Sequence, residues 1–557
     1  MLNKLGITHN RLRVITLLIP IIFLILILRL FYWMILRGPE LQTKSDRQHQ
    51  MVTVLKAKRG DILDSEGGVL AGTKNLYHLF VYKPQLTVSK NDLIEQLLGL
   101  LTPDRESSTE GDLRKYLQDR LSLSSNWISL KHYLSLEDKE KVENQKIAGL
   151  GFEDEYVRYY PESSMAAQVL GFVGQDAAGQ EQGYFGMEGY FDRILKGREG
   201  KIRTEKDGQG NPILIGNYQF LHAVEGKSIN TTINKKIQYI SENLLKEGLD
   251  RYGAIAGEVI VMEVKTGKIR AMAAYPNYDP GKFSEFDNST YKSPMAADLF
   301  EPGSIFKPLV MAAALNEKLV TPETKCDICS GPITIGKYSI KTWDEKYRPF
   351  STMIDVIVHS DNTGMVFVAR KLGPDKFSEY LKRYGFGQKS KIEIQEEVSG
   401  AVREGKNIGE IDLATNSFGQ GIAVTPIQMI SALNTIANEG KYISPTLIEG
   451  SRGVTRDVLS SVAASEMTQI MVTAVDSGEA KWAKPVGLSV AGKTGTAQIP
   501  IEGHYDPKKT IASFIGFFPA KNPRFTMLVS LREPQTSQWG SETAAPLWFS
   551  IAKQLLL

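Results

Sequence analysis

The 557-residue chain holds only two cysteines, Cys326 and Cys329. So few exclude a disulfide-scaffolded fold. Histidine is scarce too: seven residues, scattered. None stands in the His-Glu-x-x-His spacing that seats zinc on one helix face, so no residue is assigned to a metal and no cofactor is expected. Charge of one sign is also lacking. Sixty-six Lys and Arg against 63 Asp and Glu leave a net of +3, which gives no electrostatic case for nucleic acid. There is no internal repeat and no long low-complexity tract. What remains, 42% hydrophobic and 23% charged, is ordinary globular composition. At roughly 100–200 residues per domain, the length corresponds to about three units.

The longest apolar run lies at the N-terminus. Val14 to Leu28 is broken only by Thr16 and Pro20, Arg29 interrupts it, and Leu30 to Leu36 resumes it. Crossing a bilayer takes about 20 residues, so the stretch is long enough. Arg29, near one end, can snorkel, and Tyr32 and Trp33 suit a membrane interface. Lys4, Arg11 and Arg13 precede the run and favour a cytoplasmic N-terminus, although Arg37, Lys44 and Arg47 follow it. No small-x-small cleavage site follows, so an uncleaved anchor is preferred to a cleaved signal peptide. The expectation is a single-pass protein of the cytoplasmic (inner) membrane whose remaining chain lies outside the cytoplasm. Around Cys326-x-x-Cys329 nothing resembles a strand-to-helix redox turn. A local disulfide and two plain thiols both remain open.

Three regions are expected: 1–37, a short tail and anchor; 38–225, a non-catalytic pedestal; and 226–557, the catalytic domain. In the pedestal, Asp64-Ser-Glu-Gly-Gly68 reads as a hairpin turn and Leu93–Leu101 as an amphipathic helix. Residues 105–111 and 206–216 read as loops. Composition changes near Gly226. Ile233, Ile237, Ile240 and Leu244 recur at helical spacing and predict a helix to about Leu249. Residues 258–264 and 269–274 read as strands about a Lys265-Thr-Gly267 turn. A second strand pair covers 511–518 and 525–531, and Ala544–Leu557 reads as a closing helix. Helical segments at 304–320, 352–371 and 424–438 fill the middle. Strands at both ends with helices between predict an α/β fold, an antiparallel sheet sandwiched by helices.

Three short elements carry the chemistry: Ser304-Ile-Phe-Lys307, Ser360-Asp-Asn362 and Lys493-Thr-Gly495, in that order. They are the element set of serine acyl-transfer sites of the penicillin-binding and β-lactamase type. Each alone is weak, since Ser-x-x-Lys recurs at 289–292 and 550–553 and Lys-Thr-Gly at 265–267. Setting discriminates. Pro302-Gly303 precedes Ser304, and Leu309–Leu315 is wholly apolar, as in a buried helix with the serine at its mouth. Lys307, at i+3, shares a face with Ser304. A lysine enclosed by apolar structure favours its neutral form and can take the hydroxyl proton. Pro308 cannot donate to the Ser304 carbonyl, so an irregular first turn is expected. Ser360-Asp-Asn362 lies between two apolar segments and reads as a loop joining two helices, aiming Ser360 as proton relay and Asn362 at a substrate carbonyl. A plain helix cap is the alternative. Lys493-Thr-Gly495-Thr-Ala reads as an edge strand. Lys493 supplies positive potential, Thr494 and Thr496 offer hydroxyls to a substrate carboxylate, and Gly495 lets the backbone come close. A hairpin turn is the alternative there.

Taken jointly, the chain resembles class B penicillin-binding proteins. The likeness extends through Arg59-Gly-Asp-Ile-Leu-Asp64, Arg158-Tyr-Tyr-Pro161, Gly171-Phe-Val-Gly174 and Gly186-Met-Glu-Gly189. It continues through Tyr278-Asp-Pro280, Glu301-Pro-Gly-Ser304, and Ser417-Phe-Gly-Gln-Gly-Ile422 with Thr425-Pro426. The flow from Gly171 to Gly189 is closer to the division and sporulation types than to the elongation type. The resemblance implies a penicillin-sensitive peptidoglycan D,D-transpeptidase. In it Ser304 forms an acyl-enzyme with a stem peptide, D-Ala leaves, and a neighbouring amine completes the cross-link. It also implies an oxyanion hole from the Ser304 and Thr496 N–H groups, β-lactams as covalent inhibitors, and a membrane glycan polymerase with other divisome proteins as partners. Ile305, where the family often has Thr, is a small departure. A D,D-carboxypeptidase, a β-lactamase and a non-turnover β-lactam sensor are the alternatives.

Overall fold

The computed structural model describes residues 9–101, 109–205, 218–403, 405–501 and 504–556. Lys4, the loop residues 105–108 and those of 206–216 fall outside this range. The chain packs as two compact units, Met1–Ala57 with Gly197–Glu225, and Lys58–Lys196 with Gly226–Leu557.

In the first unit, helix His9–Phe31 passes through a π-helical turn at Tyr32–Leu36 and is followed by helix Gly38–His49. Arg13–Leu36, with mean hydropathy 2.9, is long and apolar enough to cross a membrane. Its apolar side chains are exposed all round. Strands Gln50–Leu55, Gly200–Glu205 and Tyr218–Leu221 form an antiparallel sheet in that order.

The second unit begins with the expected hairpin. Asp64 Oδ1 accepts from the Glu66 and Gly68 N–H groups at 2.8 and 2.7 Å and closes the turn into strand Val69–Tyr82. That long strand pairs with Trp127–Leu134 and with Leu150–Tyr159. Leu79, Val81 and Ile128 of these strands pack against Leu93, Leu97 and Leu117 of two helices. The first helix is Lys90–Leu98, three residues earlier than expected, because the Ser89 side chain caps it by accepting from Asp92 N. Thr109 caps the second, Glu110–Ser122, which takes Glu110 and Gly111 out of the expected loop. Three motifs distant in sequence meet at one buried cluster. Glu188 is wholly buried and accepts from Arg59 Nε at 2.8 Å and from Arg158 Nε at 2.6 Å, while Arg59 Nη1 also reaches Asp192 at 2.7 Å.

From residue 235 the elements are α1 (Lys235–Tyr252), β1 (Ala256–Glu263), β2 (Ile269–Tyr275), α2 (Lys307–Asn316), α3 (Met353–Val358) and α4 (Asn362–Tyr384). Then follow α5 (Pro426–Ala437), α6 (Ser461–Ser477), β3 (Ala491–Ile501), β4 (His504–Phe518), β5 (Phe525–Arg532) and α7 (Ala544–Leu555). The sheet is antiparallel throughout, in the order β2-β1-β5-β4-β3. Strand alternation sends Val259 and Val261 to one face, where they pack with α1 and α7, and Ile260 and Met262 to the other, under α2, α4, α5 and α6. Both faces are therefore covered, as the continuous apolar runs require. Lys265-Thr-Gly267 is the turn between β1 and β2, with Gly267 at φ 74°. Cys326 and Cys329 are buried and joined as a disulfide.

Candidate active site

Ser304 lies in a 3-10 turn, Gly303–Phe306, and α2 proper begins at Lys307. The expected single helix over 304–320 is thus divided, and Pro308 is the cause. It has no N–H for the Ser304 carbonyl, which accepts instead from Lys307 N. In a 3-10 turn positions i and i+3 eclipse, so Ser304 and Lys307 keep a common side. Lys307 to Leu315 are all buried. Two glycines let the turn seat closely. Gly303 N donates to Gly419 O at 3.0 Å, and a Cβ on Gly419 (φ 81°) would lie 2.6 Å from Gly303 N. A Cβ on Gly495 would lie 2.8 Å from Ile305 Cγ2, so Lys-Thr-Gly needs its glycine where the turn meets the sheet.

The second element is the loop between α3 and α4, as expected, and it also caps α4. Asp361 Oδ1 accepts from Thr363 N and Gly364 N, and Ser360 sits at φ 55°. Lys307 Nζ points into this loop and hydrogen-bonds Ser360 O at 2.6 Å, Asn362 Oδ1 at 2.8 Å and Ser360 Oγ at 3.2 Å. Asn362 Nδ2 is held by Lys341 O at 2.9 Å. Ser304 is half-buried, and its hydroxyl makes no hydrogen bond among the described residues. The structure thus joins Lys307 to Ser360 and Asn362 but leaves Ser304 open.

The third element is on the edge strand, since among the described residues β3 pairs only with β4. Lys493 is buried, and its Nζ donates to Thr494 O and Thr494 Oγ1 at 3.1 and 3.2 Å. Thr496 Oγ1 accepts from Gly540 N at 3.0 Å, which ties it to the β5–α7 connection. Burial holds Lys307 well below the usual lysine range, and the neighbouring Lys493 charge pushes it the same way against Asp361 and Glu479. Burial also lowers Lys493, against Glu479. A neutral Lys307 has two N–H groups for the two carbonyl oxygens, and its lone pair then faces the Ser360 hydroxyl.

Sequence reasoning missed several neighbours. Trp343 Nε1 donates to His359 O beside the second element, and its ring meets Trp539, next to Gly540, edge-on at 5.1 Å. Tyr505 donates to Glu301 at 3.0 Å, from the β3–β4 hairpin to the segment before Ser304. Glu479 lies past the end of α6. None belongs to a periodic pattern, and a cleft's rim comes from loops that no spacing relates.

The site thus brings an enclosed lysine bonded to a hydroxyl and an amide, and a basic edge strand, beside a serine on a helix-covered antiparallel sheet. The penicillin binding protein transpeptidase domain model matches residues 257–556, more than half of the chain, and the penicillin-binding protein dimerisation domain model matches 54–231. The chain belongs to the penicillin-binding protein transpeptidase family. It is 29% identical over 551 residues to the stage V sporulation protein D of Bacillus subtilis, covering 96% of this chain and 84% of that one. It is 28% identical over 552 residues to a probable peptidoglycan D,D-transpeptidase PenA of Neisseria meningitidis, covering 97% and 91%. Among solved structures, penicillin binding protein 2X of Streptococcus thermophilus superposes with a TM-score of 0.79 at 25% identity, covering 91% of this chain and 80% of that one.

Proposed function

We propose that the chain is a peptidoglycan D,D-transpeptidase whose nucleophile is Ser304. The observation that carries this reading is the buried Lys307, its neutral form favoured and its Nζ held on Ser360 and Asn362. Lys307 takes the Ser304 proton as the hydroxyl attacks the penultimate carbonyl of a stem peptide ending in D-Ala-D-Ala. Ser360 relays that proton to the departing D-Ala amine. Asn362 orients the donor peptide, while Lys493, Thr494 and Thr496 receive its carboxylate. Gly495 admits the donor strand alongside β3. The Ser304 and Thr496 N–H groups steady the oxyanion. An amine of a neighbouring stem then attacks the acyl-enzyme. β-Lactams mimic the donor and acylate Ser304. The division of labour is an anchor at 1–37 in the cytoplasmic membrane, a pedestal at 38–225 and a transpeptidase domain at 226–557 outside the cytoplasm. The proposed setting is septal wall synthesis beside a membrane glycan polymerase and divisome proteins; the relatives' names, a sporulation protein and peptidoglycan D,D-transpeptidases, support the transpeptidase part of that reading. Incubating the full-length chain with polymerised glycan carrying pentapeptide stems tests the reading. Cross-linked stem dimers and released D-Ala are expected, and both vanish in Ser304→Ala. D-Ala release without dimers points to a carboxypeptidase instead.

A further inference from the structure

Beside Lys493 the structure holds a carboxylate with one buried oxygen that makes no hydrogen bond among the described residues. Helix α6 ends at Ser477, and Gly478 N returns to Ala474 O at 3.1 Å. A Cβ on Gly478 would lie 3.1 Å from Val358 O, so this glycine lets the end of α6 settle on the end of α3, just before the Ser360 loop. The next residue, Glu479, thereby lines a small cavity with Val358, Gly492, Lys493 and Thr494, with room for about one water. Glu479 Oε1 is buried there and makes no hydrogen bond among the described residues. The residue as a whole is half-buried, but a carboxylate oxygen shut off from water without a hydrogen bond is costly unless positive charge lies close by. The lysines at hand are Lys493 of β3 and Lys307 of α2; Asp361 acts on Lys307 as well, with Oδ1 capping α4 and Oδ2 buried without a hydrogen bond among the described residues, whereas for Lys493 the opposing carboxylate is Glu479.

We propose that Glu479 is a positioning residue for acylation: the half-buried counter-charge that lines the cavity beside Lys493 and holds that side chain in place on the edge strand beside Lys307. The inference rests on the proposed roles of Ser304, Lys307 and Lys493. Its sign follows from Coulomb's law. Removing the negative charge disfavours both ammonium forms and lowers both lysines. Acylation needs Lys307 neutral, which sets the acid limb of its pH profile, and Lys493 charged, which sets the alkaline limb. Both limbs therefore move to lower pH. The alkaline limb moves further, because for Lys493 the Glu479 charge is what opposes burial, whereas Lys307 also has Asp361. An opposite charge close to a lysine shifts it by about one to three pH units, so the expected alkaline shift is on the order of one pH unit or more.

The test is the second-order rate of acylation of the detergent-solubilised full-length chain by a fluorescent penicillin between pH 5 and 10. Wild type, Glu479→Gln, Glu479→Asp and Ser304→Ala are compared, with a thermal unfolding check on each. The expected result is a Gln profile displaced to lower pH in both limbs, with Asp, which keeps the charge on a shorter arm, between Gln and wild type. A merely structural role lowers the amplitude and leaves the limbs in place. Unmoved limbs in both variants, or in Asp alone where Gln does not fold, overturn the inference while Ser304-dependent labelling of the wild type leaves the transpeptidase reading standing. Wild-type labelling that persists in Ser304→Ala, or no labelling at all, overturns both.

Discussion

Replacing Lys307 separates its chemistry from its charge. Its Nζ serves three oxygens, Ser360 O, Ser360 Oγ and Asn362 Oδ1, and the residue has no exposed surface. With Lys307 as the proposed general base, Lys307→Ala should cost about 10²–10⁴ in rate, or about 3–5 kcal/mol of barrier at 1.36 kcal/mol per decade. It also frees Ser360 and the Asn362 amide, which places the expected loss near the top of that range. Lys307→Arg keeps a cation and several donors but cannot lose a proton near neutral pH. If Lys307 acts as base, Arg is as inactive as Ala; if it only supplies charge, Arg restores the rate. The assay is the second-order acylation rate by a fluorescent penicillin, with circular dichroism as a folding control. A Lys307→Ala rate within tenfold of wild type, or an Arg variant restored to within tenfold, would refute the reasoning.

Three further outcomes follow from particular contacts. Glu188→Gln leaves Arg59 and Arg158 buried without their carboxylate and should cost about 3–5 kcal/mol, read as a fall of several degrees in the thermal midpoint; an unchanged midpoint contradicts it. His78, stacked at 4.1 Å on His132, is held below its ordinary pKa of 6.5 by burial and by the His132 charge, against Glu153 and Glu155. The unfolded chain therefore binds more protons at this site, and stability should fall as pH drops below about 6.5. Thermal midpoints between pH 7.5 and 5 should show a shallower decline in His78→Asn than in wild type, and equal declines would remove His78 as the cause. Trp343 and Trp539 meet beside the second and third elements, so stopped-flow tryptophan fluorescence should change on acylation. Trp343→Ala should abolish most of that change while altering the acylation rate less than tenfold, since such a pair is worth about 0.5–1.5 kcal/mol. A fluorescence change as large in the variant would place the reporting tryptophan elsewhere.

Local patterns carried much of this structure, and long-range ones did not. The apolar runs of β1, β4 and β5 mark strands buried on both faces, and the order of the three elements marks the site. Pro308 announced the irregular turn at Ser304. Cap chemistry, rather than periodicity, set where helix Lys90–Leu98 begins, because Ser89 accepts from Asp92 N. The Arg59–Glu188 pair spans 129 residues, and no local spacing reveals such a partner. Glu479 and Trp539 are likewise placed by how α6 and the β5–α7 connection pack. His78 and His132, scattered in sequence, become neighbours because adjacent strands carry them. The Cys326–Cys329 choice between thiols and disulfide was decided by the fold of their loop, since spacing alone permits both.

The central claim is that Ser304 is the acylated residue. Full-length protein treated with benzylpenicillin, digested and mapped by mass spectrometry should carry one penicilloyl adduct, on the peptide containing Ser304, and Ser304→Ala should carry none. An adduct on another residue, or an adduct retained in Ser304→Ala, would contradict the account.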